Sequence, residues 1–441
     1  MTNHTGKFRL PPSEGFTLAN GMRVLAMETR GLPLVDFDLI IGSGAAHDPP
    51  GREGLADLTA DLLRKGTAKR TAFELADAVD FTGGVLGASA DQDGTRVSAE
   101  FLSSDLDLGL DLLAEIAMGP AFAPDEVERL KGETISELKA VKENPGLIAS
   151  RRFVNILFSG HPYGHPTPGW ESSVAEITRE DVRAFYESHY TPGTMILVGA
   201  GDFASAEFIA KAEKRFGGWR GSAAMPREVP EPTVRAGRTI YFMDKPDATQ
   251  SQIRIGGIGL SRTDPQYTSA NVANTILGGG FTSRLVEEIR VNRGLSYGVG
   301  SRFYPLVKGG AFLINTSTKN QTTRETVEVA LDVLGRFRAD GVTDEELDKA
   351  KRYLRGTFAI GHQTPEAMAE SLADIAFYGL PSDYYDTYLD RVTAITKDDV
   401  ARVAARFPYE NLVVLVLGKA EEVLKDLEKV GPVTVLPLGV N

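Results

Sequence analysis

The chain has 441 residues, of which 42% are hydrophobic and 24% are charged, a composition typical of a soluble globular protein. This length is too great for one ordinary hydrophobic core and predicts more than one domain. The net charge of −12 argues against a nucleic-acid-binding protein, which needs a basic face. Cysteine is absent, so disulfides and thiolate metal sites are excluded, and a zinc site would need histidine and carboxylate ligands.

The N-terminal segment, MTNHTGKFRLPPSEGF, has no basic stretch followed by an apolar one, which is the pattern of an export signal. No stretch of the sequence approaches the roughly 18 apolar residues of a membrane span. We therefore expect a cytoplasmic protein, or a periplasmic one if an export signal has been removed, and no membrane partner.

The segment GLADLTADLLRKGT (54–67) predicts a helix, because its leucines recur at helical spacing. Asp57, Ala60 and Asp61 lie together on the polar side of this helix, since residues three and four apart share one face. This side of the helix is the first candidate site in the chain.

An internal repeat organises the chain. VAEITREDVRAFYESHY (174–190) resembles VTAITKDDVARVAARF (392–407), and each copy has a threonine before acidic residues, which is typical of a helix start. Each copy is followed by a predicted strand, MILVGAG or LVVLVLG. The segment 220–237 is rich in proline and charge and predicts a linker. We therefore expect an N-terminal domain over 1–219 and a homologous C-terminal domain over 238–441.

Five segments in the same order resemble the pitrilysin/insulinase-type metallopeptidases, the inverted zincins. The resemblance is closest to two-domain bacterial subunits related to mitochondrial processing peptidase. The segments are GREGLADLTADLLRKGT, GGVLGASADQDGTRVSAEF, HPYGHPTPG, YTPGTMILVGAGDF and GGGFTSRLVEEIRVNRGLSYGVGSRF. The resemblance implies an α+β fold class: two homologous α/β-sandwich domains, each an antiparallel-rich mixed sheet with helices on one side, together forming half of a clam-shell.

Active relatives carry H-x-x-E-H on the first helix, where two histidines hold zinc and the glutamate polarises the zinc-bound water. In this chain Asp57, Ala60 and Asp61 stand at those three positions, and Glu137 retains the distal carboxylate ligand. We expect no catalytic residue and no bound metal here. The alternative is a hydrolase that uses a hard cation bound by Asp57, Asp61 and Glu137, although it would lack the base at position 60.

The segment RVNRGLSYGVG carries Arg290 and Tyr297, a spacing that in the family marks a substrate-holding pair. Their donors can polarise a scissile carbonyl or stabilise its oxyanion. Arg293 is a weaker candidate on family register. Gly87 stands where active relatives have an asparagine on an edge strand that pairs with substrate, which weakens the expectation of substrate alignment there.

Two other segments contain residue types that are found in metal sites or nucleotide-binding loops. His161 and His165 lie in the proline- and glycine-rich segment HPYGHP, where no helix sets the ring orientation, and we expect a structural connection there. The three glycines in LGGGFTSRL lack the lysine of a nucleotide-binding loop and predict a close approach of the backbone to a neighbour or to substrate.

These features together predict a non-catalytic, substrate-holding subunit of a heterodimeric zinc metallopeptidase that acts on peptides or unfolded segments. Zinc is expected in a partner subunit that bears H-x-x-E-H, and a homodimer is expected when the chain is alone. The chain by itself is not expected to be a peptidase. Alternatives are a structural scaffold subunit with no role in proteolysis, and the carboxylate-metal hydrolase described above.

Overall fold

A computed structural model describes residues 8–221 and 228–439. Residues 1–7 of the N-terminal segment and 222–227 of the predicted linker lie outside the described residues. The strands are β1 (Ser13–Thr17), β2 (Arg23–Glu28), β3 (Leu34–Ile41), β4 (Val85–Ala90), β5 (Thr95–Leu102), β6 (Met195–Gly201), β7 (Thr239–Asp244), β8 (Gln250–Ile258), β9 (Val299–Pro305), β10 (Gly310–Lys319), β11 (Val413–Gly418) and β12 (Val433–Leu436).

The α-helices are α1 (Leu55–Leu62), α2 (Ala72–Asp80), α3 (Leu106–Met118), α4 (Pro124–Ala140), α5 (Pro145–Leu157), α6 (Glu171–Glu176), α7 (Arg179–His189), α8 (Ser205–Phe216), α9 (Tyr267–Asn274), α10 (Thr323–Asp340), α11 (Asp344–Ile360), α12 (Pro365–Tyr378), α13 (Tyr388–Ala394), α14 (Lys397–Ala404) and α15 (Ala420–Leu427). Two segments, Thr275–Gly279 and Val286–Asn292, are π-helices. The remaining short helical turns are 3₁₀ turns.

The chain packs into two compact units that are not continuous in sequence. Unit 1 comprises Met1–Leu138, His165–Val229 and Ala359–Asp386, and unit 2 comprises Lys139–Gly164, Pro230–Phe358 and Thr387–Asn441. Each half of the chain therefore contributes one segment to the unit that the other half mainly builds. The boundaries 1–219, 220–237 and 238–441 follow the sequence repeat and stay a prediction.

Unit 1 contains a six-stranded mixed sheet in the order β1-β2-β6-β3-β5-β4. The β2–β6 pair is parallel, and the other neighbours are antiparallel. Alternate residues of β3 face a core shared with α3 and α8, because side chains alternate between the two faces of a strand. In that core the ring centroids of Phe37 lie 6.3 Å from Phe101 and 6.2 Å from Phe208.

Unit 2 contains a six-stranded mixed sheet in the order β12-β7-β11-β8-β10-β9. The β7 strand is parallel to β11 and β12, and the other pairs are antiparallel. Its core centres on Phe407, whose ring centroid lies 4.9 Å from Phe303, 5.0 Å from Phe312 and 5.6 Å from Phe337. These phenylalanines are all buried.

The exchanged segments place a helix on the second face of each sheet. In unit 1, α12 packs on β3 and β6, where Met368 and Leu372 join Ile40 and Val198 in a separate apolar cluster. In unit 2, α5 packs on β8 and β11. The expected fold class of two α/β domains with antiparallel-rich mixed sheets is confirmed, and the structure adds these two helices to the expected single helical layer.

No helix in residues 8–221 or 228–439 is both long enough and apolar enough to cross a membrane.

Candidate functional site

Helix α1 carries the first candidate site, and a half-buried carboxylate fixes where it begins. The side chain of Asp48 accepts hydrogen bonds from the backbone N–H groups of Gly54 (2.7 Å) and Ala56 (2.8 Å). Gly54 has a positive φ of 102°, a conformation that favours glycine, so the chain turns directly into the helix. These contacts satisfy N–H groups that the first turn of a helix leaves without partners.

The three carboxylates at this site influence one another. Burial, then the charges of Asp61 and Glu137, raise the pKa of Asp57 to about 7, against a hydrogen bond from the N–H of Ala90 that lowers it. Burial also raises the pKa of Asp61, opposed by the charge of Arg64. The structure therefore brings Asp57, Asp61 and Glu137 into one electrostatic neighbourhood.

These residues do not fit zinc. Imidazole and thiolate ligands suit zinc, whereas α1 offers two carboxylates. The guanidinium of Arg64 lies 3.7 Å from Asp61, so a cation already compensates that carboxylate. Ala60 is fully buried and presents a methyl group where a general base would be needed. Within the described residues, no three histidine, aspartate or glutamate side chains form a group that could hold a metal ion.

The two histidines of HPYGHP each make local hydrogen bonds. His161 Nε2 lies 2.8 Å from the carbonyl oxygen of Pro230, and His161 Nδ1 accepts the N–H of Tyr163. His165 Nδ1 lies 3.1 Å from the carbonyl oxygen of Pro166, and burial lowers the pKa of this imidazole. These bonds agree with the expected role of the segment as a structural connection.

The strand that carries Gly87 lies at the edge of its sheet. β4 is the last strand in the order, and among the strands of the described residues it pairs only with β5. A side chain at Gly87 would begin 2.8 Å from Ser98 Oγ on β5, so any larger residue would require that hydroxyl to move. The edge position exists in this chain, but no polar side chain is available at residue 87 to hold a peptide there.

The second candidate site lies in unit 2, where the chain passes from β8 to β9 through α9 and both π-helices. Here the three glycines come close to neighbouring atoms: a Cβ on Gly278 would lie 2.4 Å from Ser301 Oγ. The following residues are tied to α11, because Arg284 donates to both carboxylate oxygens of Glu346 at 2.6 and 2.8 Å. This ion pair joins the segment after the glycine-rich turn to α11.

Arg290 lies between two exposed aromatic rings. Its guanidinium carbon is 5.0 Å from the ring centroid of Phe281 and 5.2 Å from that of Tyr297. Phe281 is 74% exposed and Tyr297 is 90% exposed. Cation–π contacts of this kind orient a guanidinium without consuming its N–H donors. We call Phe281, Arg290 and Tyr297 the aromatic–arginine cluster.

The backbone around Tyr297 is pinned although its side chain is exposed. The Ser296 hydroxyl donates to the carbonyl of Gly298 at 2.8 Å, and the Thr316 hydroxyl on β10 donates to the same carbonyl at 2.9 Å. Arg290 itself lies in the π-helix Val286–Asn292, a rare backbone form that often occurs at functional sites. The structure thus presents a phenol and a guanidinium from a rigid support.

Arg293, the weaker candidate, has a different environment. Its guanidinium lies 3.6 Å from Glu288 and 3.3 Å from Glu325. Arg290 has no carboxylate partner among the described residues. A guanidinium already paired with carboxylates is less available to a ligand, so the structure favours Arg290 over Arg293 as the residue that can bind one.

The sequence has two matches among family models. Residues 23–169 match the model described as insulinase (peptidase family M16), and residues 176–354 match the model described as the peptidase M16 inactive domain. An uncharacterized zinc protease of Mycobacterium leprae is 30% identical over 347 residues, which span 78% of each chain. The chain belongs to the insulinase (M16) peptidase family.

Other relatives and solved structures agree. An uncharacterized zinc protease of Streptomyces coelicolor is 27% identical over 88% of this chain and 85% of its own length. The crystal structure of a peptidase M16 inactive domain from Pseudomonas fluorescens is 29% identical, with a TM-score of 0.87 over 92% of this chain and 98% of that one. A protease from Helicobacter pylori is 21% identical and shares the fold, with a TM-score of 0.88 over 92% of this chain and 100% of that one.

Within this M16 chain, sequence reasoning named Arg290 and Tyr297 but missed Phe281. The signal was present, because Phe281 directly follows three glycines in the segment GGGF, and an apolar side chain at such a turn has little core to enter. Periodicity could not reveal its contact with Arg290, since the two residues are nine positions apart and Arg290 lies within a π-helix. The contact between Phe281 and Arg290 depends on how the glycine-rich turn folds back towards the π-helix.

Proposed function

We propose that this chain is the non-catalytic, substrate-holding subunit of a heterodimeric zinc metallopeptidase that acts on peptides or unfolded segments. The observation that carries the proposal is the contrast between the two candidate sites. Helix α1 lacks the residues for zinc chemistry, whereas the aromatic–arginine cluster has two exposed rings, a pinned backbone at Tyr297 and, within the described part of the chain, no carboxylate partner for Arg290. Membership of the M16 family and the names of its zinc-protease relatives support this class of reaction.

The cluster would act on the substrate through hydrogen-bond donors. The Tyr297 hydroxyl can donate to a peptide carbonyl and stabilise the negative charge that develops on its oxygen during hydrolysis. Arg290 can donate to a main-chain carbonyl or to a substrate carboxylate. Phe281 and Tyr297 hold the guanidinium between their rings, so less rotational freedom is lost when substrate binds.

The state of α1 supports the need for a second subunit. A peptidase of this class requires a zinc-bound water and a general base. Ala60 supplies no base, and Arg64 occupies the neighbourhood of Asp61 with positive charge. The partner that we propose therefore brings H-x-x-E-H with its zinc, and this chain brings the substrate contacts.

A scaffold role is the main competitor, and the exposed cluster argues against it. A purely structural subunit gains nothing from a phenol that is 90% exposed at a pinned backbone position. Exposed aromatic side chains held in this way are typical of binding surfaces.

The deciding experiment is a three-way peptidase assay on an unfolded peptide with this chain alone, the H-x-x-E-H partner alone, and an equimolar mixture. We expect no cleavage by this chain, little by the partner and at least a hundredfold more by the mixture. A partner whose motif glutamate is replaced by glutamine is the matched control and should remove activity from the mixture. Chelator-sensitive cleavage by this chain alone would favour the carboxylate-metal hydrolase, and equal activity of partner and mixture would favour the scaffold.

A further inference from the structure

A cavity of about 200 Å³ lies beside the aromatic–arginine cluster, between the glycine-rich turn and helix α11. Ile276 and Ala350, both almost fully buried, form its floor. Phe281 and Tyr353 form exposed aromatic walls. Ala350 and Tyr353 share one face of α11, since they are three positions apart.

The lining favours an uncharged ligand. Three charged residues line the cavity, and one of them, Glu346, is compensated by its two hydrogen bonds with Arg284. The other two, Glu345 and Lys349, have opposite charges and are exposed to solvent. The cavity therefore offers apolar surface at its base and no net charge that would select an acidic or a basic group.

The volume fits one large apolar side chain. A protein cavity of about 150 Å³ with apolar walls is large enough to hold benzene. A cavity of about 200 Å³ can therefore hold the side chain of leucine, methionine or phenylalanine.

Phe281 belongs to both the cavity and the cluster. One contact of this side chain is with the guanidinium of Arg290, at 5.0 Å, and the same side chain lines the cavity. A peptide whose backbone is held by Arg290 and Tyr297 would thus have the cavity next to it. This continuity identifies the occupant as a side chain of the bound peptide.

We propose that the cavity is a specificity subsite that selects peptides with a large apolar side chain close to the backbone held by Arg290 and Tyr297. The inference rests on the proposed function and adds a substrate preference to it. Phe281 and Tyr353 are the specificity-determining residues. A hydrophobic pocket of this kind discriminates between a large apolar side chain and alanine by about tenfold to a hundredfold.

The test measures binding of fluorescently labelled unfolded peptides to the reconstituted dimer with an inactive partner, by anisotropy. The peptides are identical except at one position, which is leucine, phenylalanine, alanine, glutamate or lysine, and this position is moved along the peptide. We expect one register at which leucine and phenylalanine bind at least tenfold more tightly than alanine, glutamate or lysine.

Variants locate that preference. Tyr353→Ala removes an exposed wall and should weaken binding of the leucine peptide about tenfold while leaving the alanine peptide unchanged. Tyr353→Phe is the matched control, because it keeps the ring and should retain the preference. Ala350→Leu fills the floor of the cavity and, if the variant folds, should remove the preference for phenylalanine before the preference for leucine. Whether or not it folds, Tyr353→Ala tests whether the cavity binds the apolar side chain.

Two results would overturn the inference in different ways. The proposed subsite is wrong, and the proposed function stands, if Tyr297→Phe weakens peptide binding but no register shows an apolar preference. The same conclusion follows if Tyr353→Ala weakens binding of the leucine and alanine peptides equally. If no peptide binds to the dimer at all, the subsite and the proposed function are both wrong.

Discussion

The two units place different chemistry on the same arrangement of strands. Five strands correspond in order and direction, from β2, β6, β3, β5 and β4 in unit 1 to β7, β11, β8, β10 and β9 in unit 2. In both units the candidate site lies in the connection that leads to the edge strand, β4 or β9. The comparison shows that the fold fixes where a site can be built, while residues in one connection decide what it can do.

The two connections differ in backbone form and in charge compensation. In unit 1, α1 and α2 are regular helices with capped starts, and the Asp61 carboxylate has a cationic neighbour in Arg64. In unit 2, the connection includes two π-helices, and Arg290 has aromatic neighbours in place of carboxylates. A compensated carboxylate has little to offer a ligand, whereas a guanidinium between rings keeps its donors available.

The helices exchanged between the halves cover sheet faces that carry different ionisable groups. Beneath α12, β3 carries the buried carboxylates Asp36 and Asp38. Beneath α5, the corresponding strand β8 carries the buried Arg254, which donates to the carbonyl of Gly146 at 2.9 Å and to Ser150 Oγ at 3.0 Å. Arg254 is thus held by neutral acceptors and ties α5 to its sheet.

The two carboxylates beneath α12 both have raised pKa values. Burial, then the charges of Asp38, Glu100 and Glu366, raise the pKa of Asp36 to about 8, although Arg96 opposes this. Burial raises the pKa of Asp38 to about 6, against its ion pair with Arg96 at 3.3 Å. The ionisable groups beneath α12 thus titrate near neutral pH, whereas the guanidinium beneath α5 stays charged and is held by hydrogen bonds.

Arg290→Ala should have the largest effect on activity. Loss of the guanidinium removes donors to the substrate and leaves the two aromatic rings without their partner. We expect kcat/KM of the reconstituted dimer to fall about a hundredfold to a thousandfold, with a rise in KM. Steady-state kinetics on an unfolded peptide, with light scattering to show that the dimer persists, is the measurement.

Arg293→Ala is the matched control for this change. Arg293 has the same side chain three positions away, but it is paired with Glu288 and Glu325. Its loss should change kcat/KM less than about threefold, since exposed ion pairs contribute little. Equal losses of kcat/KM in the two variants would show that activity depends on positive charge in this region. They would also show that the stacking of Arg290 between two rings has no role in activity.

Asp36→Asn should stabilise unit 1 at high pH. A carboxyl whose folded pKa is raised binds a proton more readily in the folded than in the unfolded protein, so wild-type stability falls as pH rises from about 4 to about 8. The amide removes this penalty. We expect a gain of about 1 to 2 kcal/mol at pH 9, which raises the unfolding temperature by about 2 to 8 °C.

The pH series carries its own control. At pH 3, below the usual pKa of an aspartate, Asp36 is protonated in both the folded and the unfolded protein, so the variant and the wild type should unfold at nearly the same temperature. Calorimetric scans at pH 3, 7 and 9 make the comparison. A constant difference at all three values would mean that the effect comes from packing and that protonation of Asp36 has no part in it.

Phe281→Ala tests the residue that sequence reasoning missed. Arg290 would keep its stacking on Tyr297 but lose its second ring. We expect a drop in kcat/KM of about twofold to fivefold, since one cation–π contact contributes about 0.5 to 1 kcal/mol at exposed sites. Phe281→Leu, which keeps bulk but not the aromatic face, should fall between wild type and alanine; kinetics identical to wild type for Phe281→Ala would show that the stacking has no role.

Much of the fold followed from local sequence signals. The predicted helix starts at Thr178 and Thr396 are present, and each threonine side chain accepts the N–H of an aspartate three residues later. The strands predicted after each repeat are β6 and β11. Local capping and hydrophobic runs act within a few residues, so a single sequence contains them.

Local sequence signals could not predict where the exchanged helices pack or how the aromatic–arginine cluster forms. Helix α12 is amphipathic, but nothing in its sequence says that its apolar face meets β3 and β6, more than 150 positions earlier in the chain. Nothing in the sequence around Arg290 distinguishes a π-helix from an ordinary helix, and the structure has a π-helix there. Family resemblance located Arg290 and Tyr297, and only coordinates could place Phe281 against them.

The most direct test of the contrast between the two units compares Tyr297→Phe with Asp57→Ala and Asp61→Ala in the reconstituted dimer. Tyr297→Phe removes one exposed hydroxyl and keeps the ring, so we expect about a hundredfold loss in kcat/KM with the dimer intact. The two aspartate variants should retain wild-type kinetics to within about twofold, because the proposed function assigns no chemistry to α1. If Tyr297→Phe is silent while Asp61→Ala abolishes cleavage, the functional site lies on α1 and the assignment of the two sites is reversed.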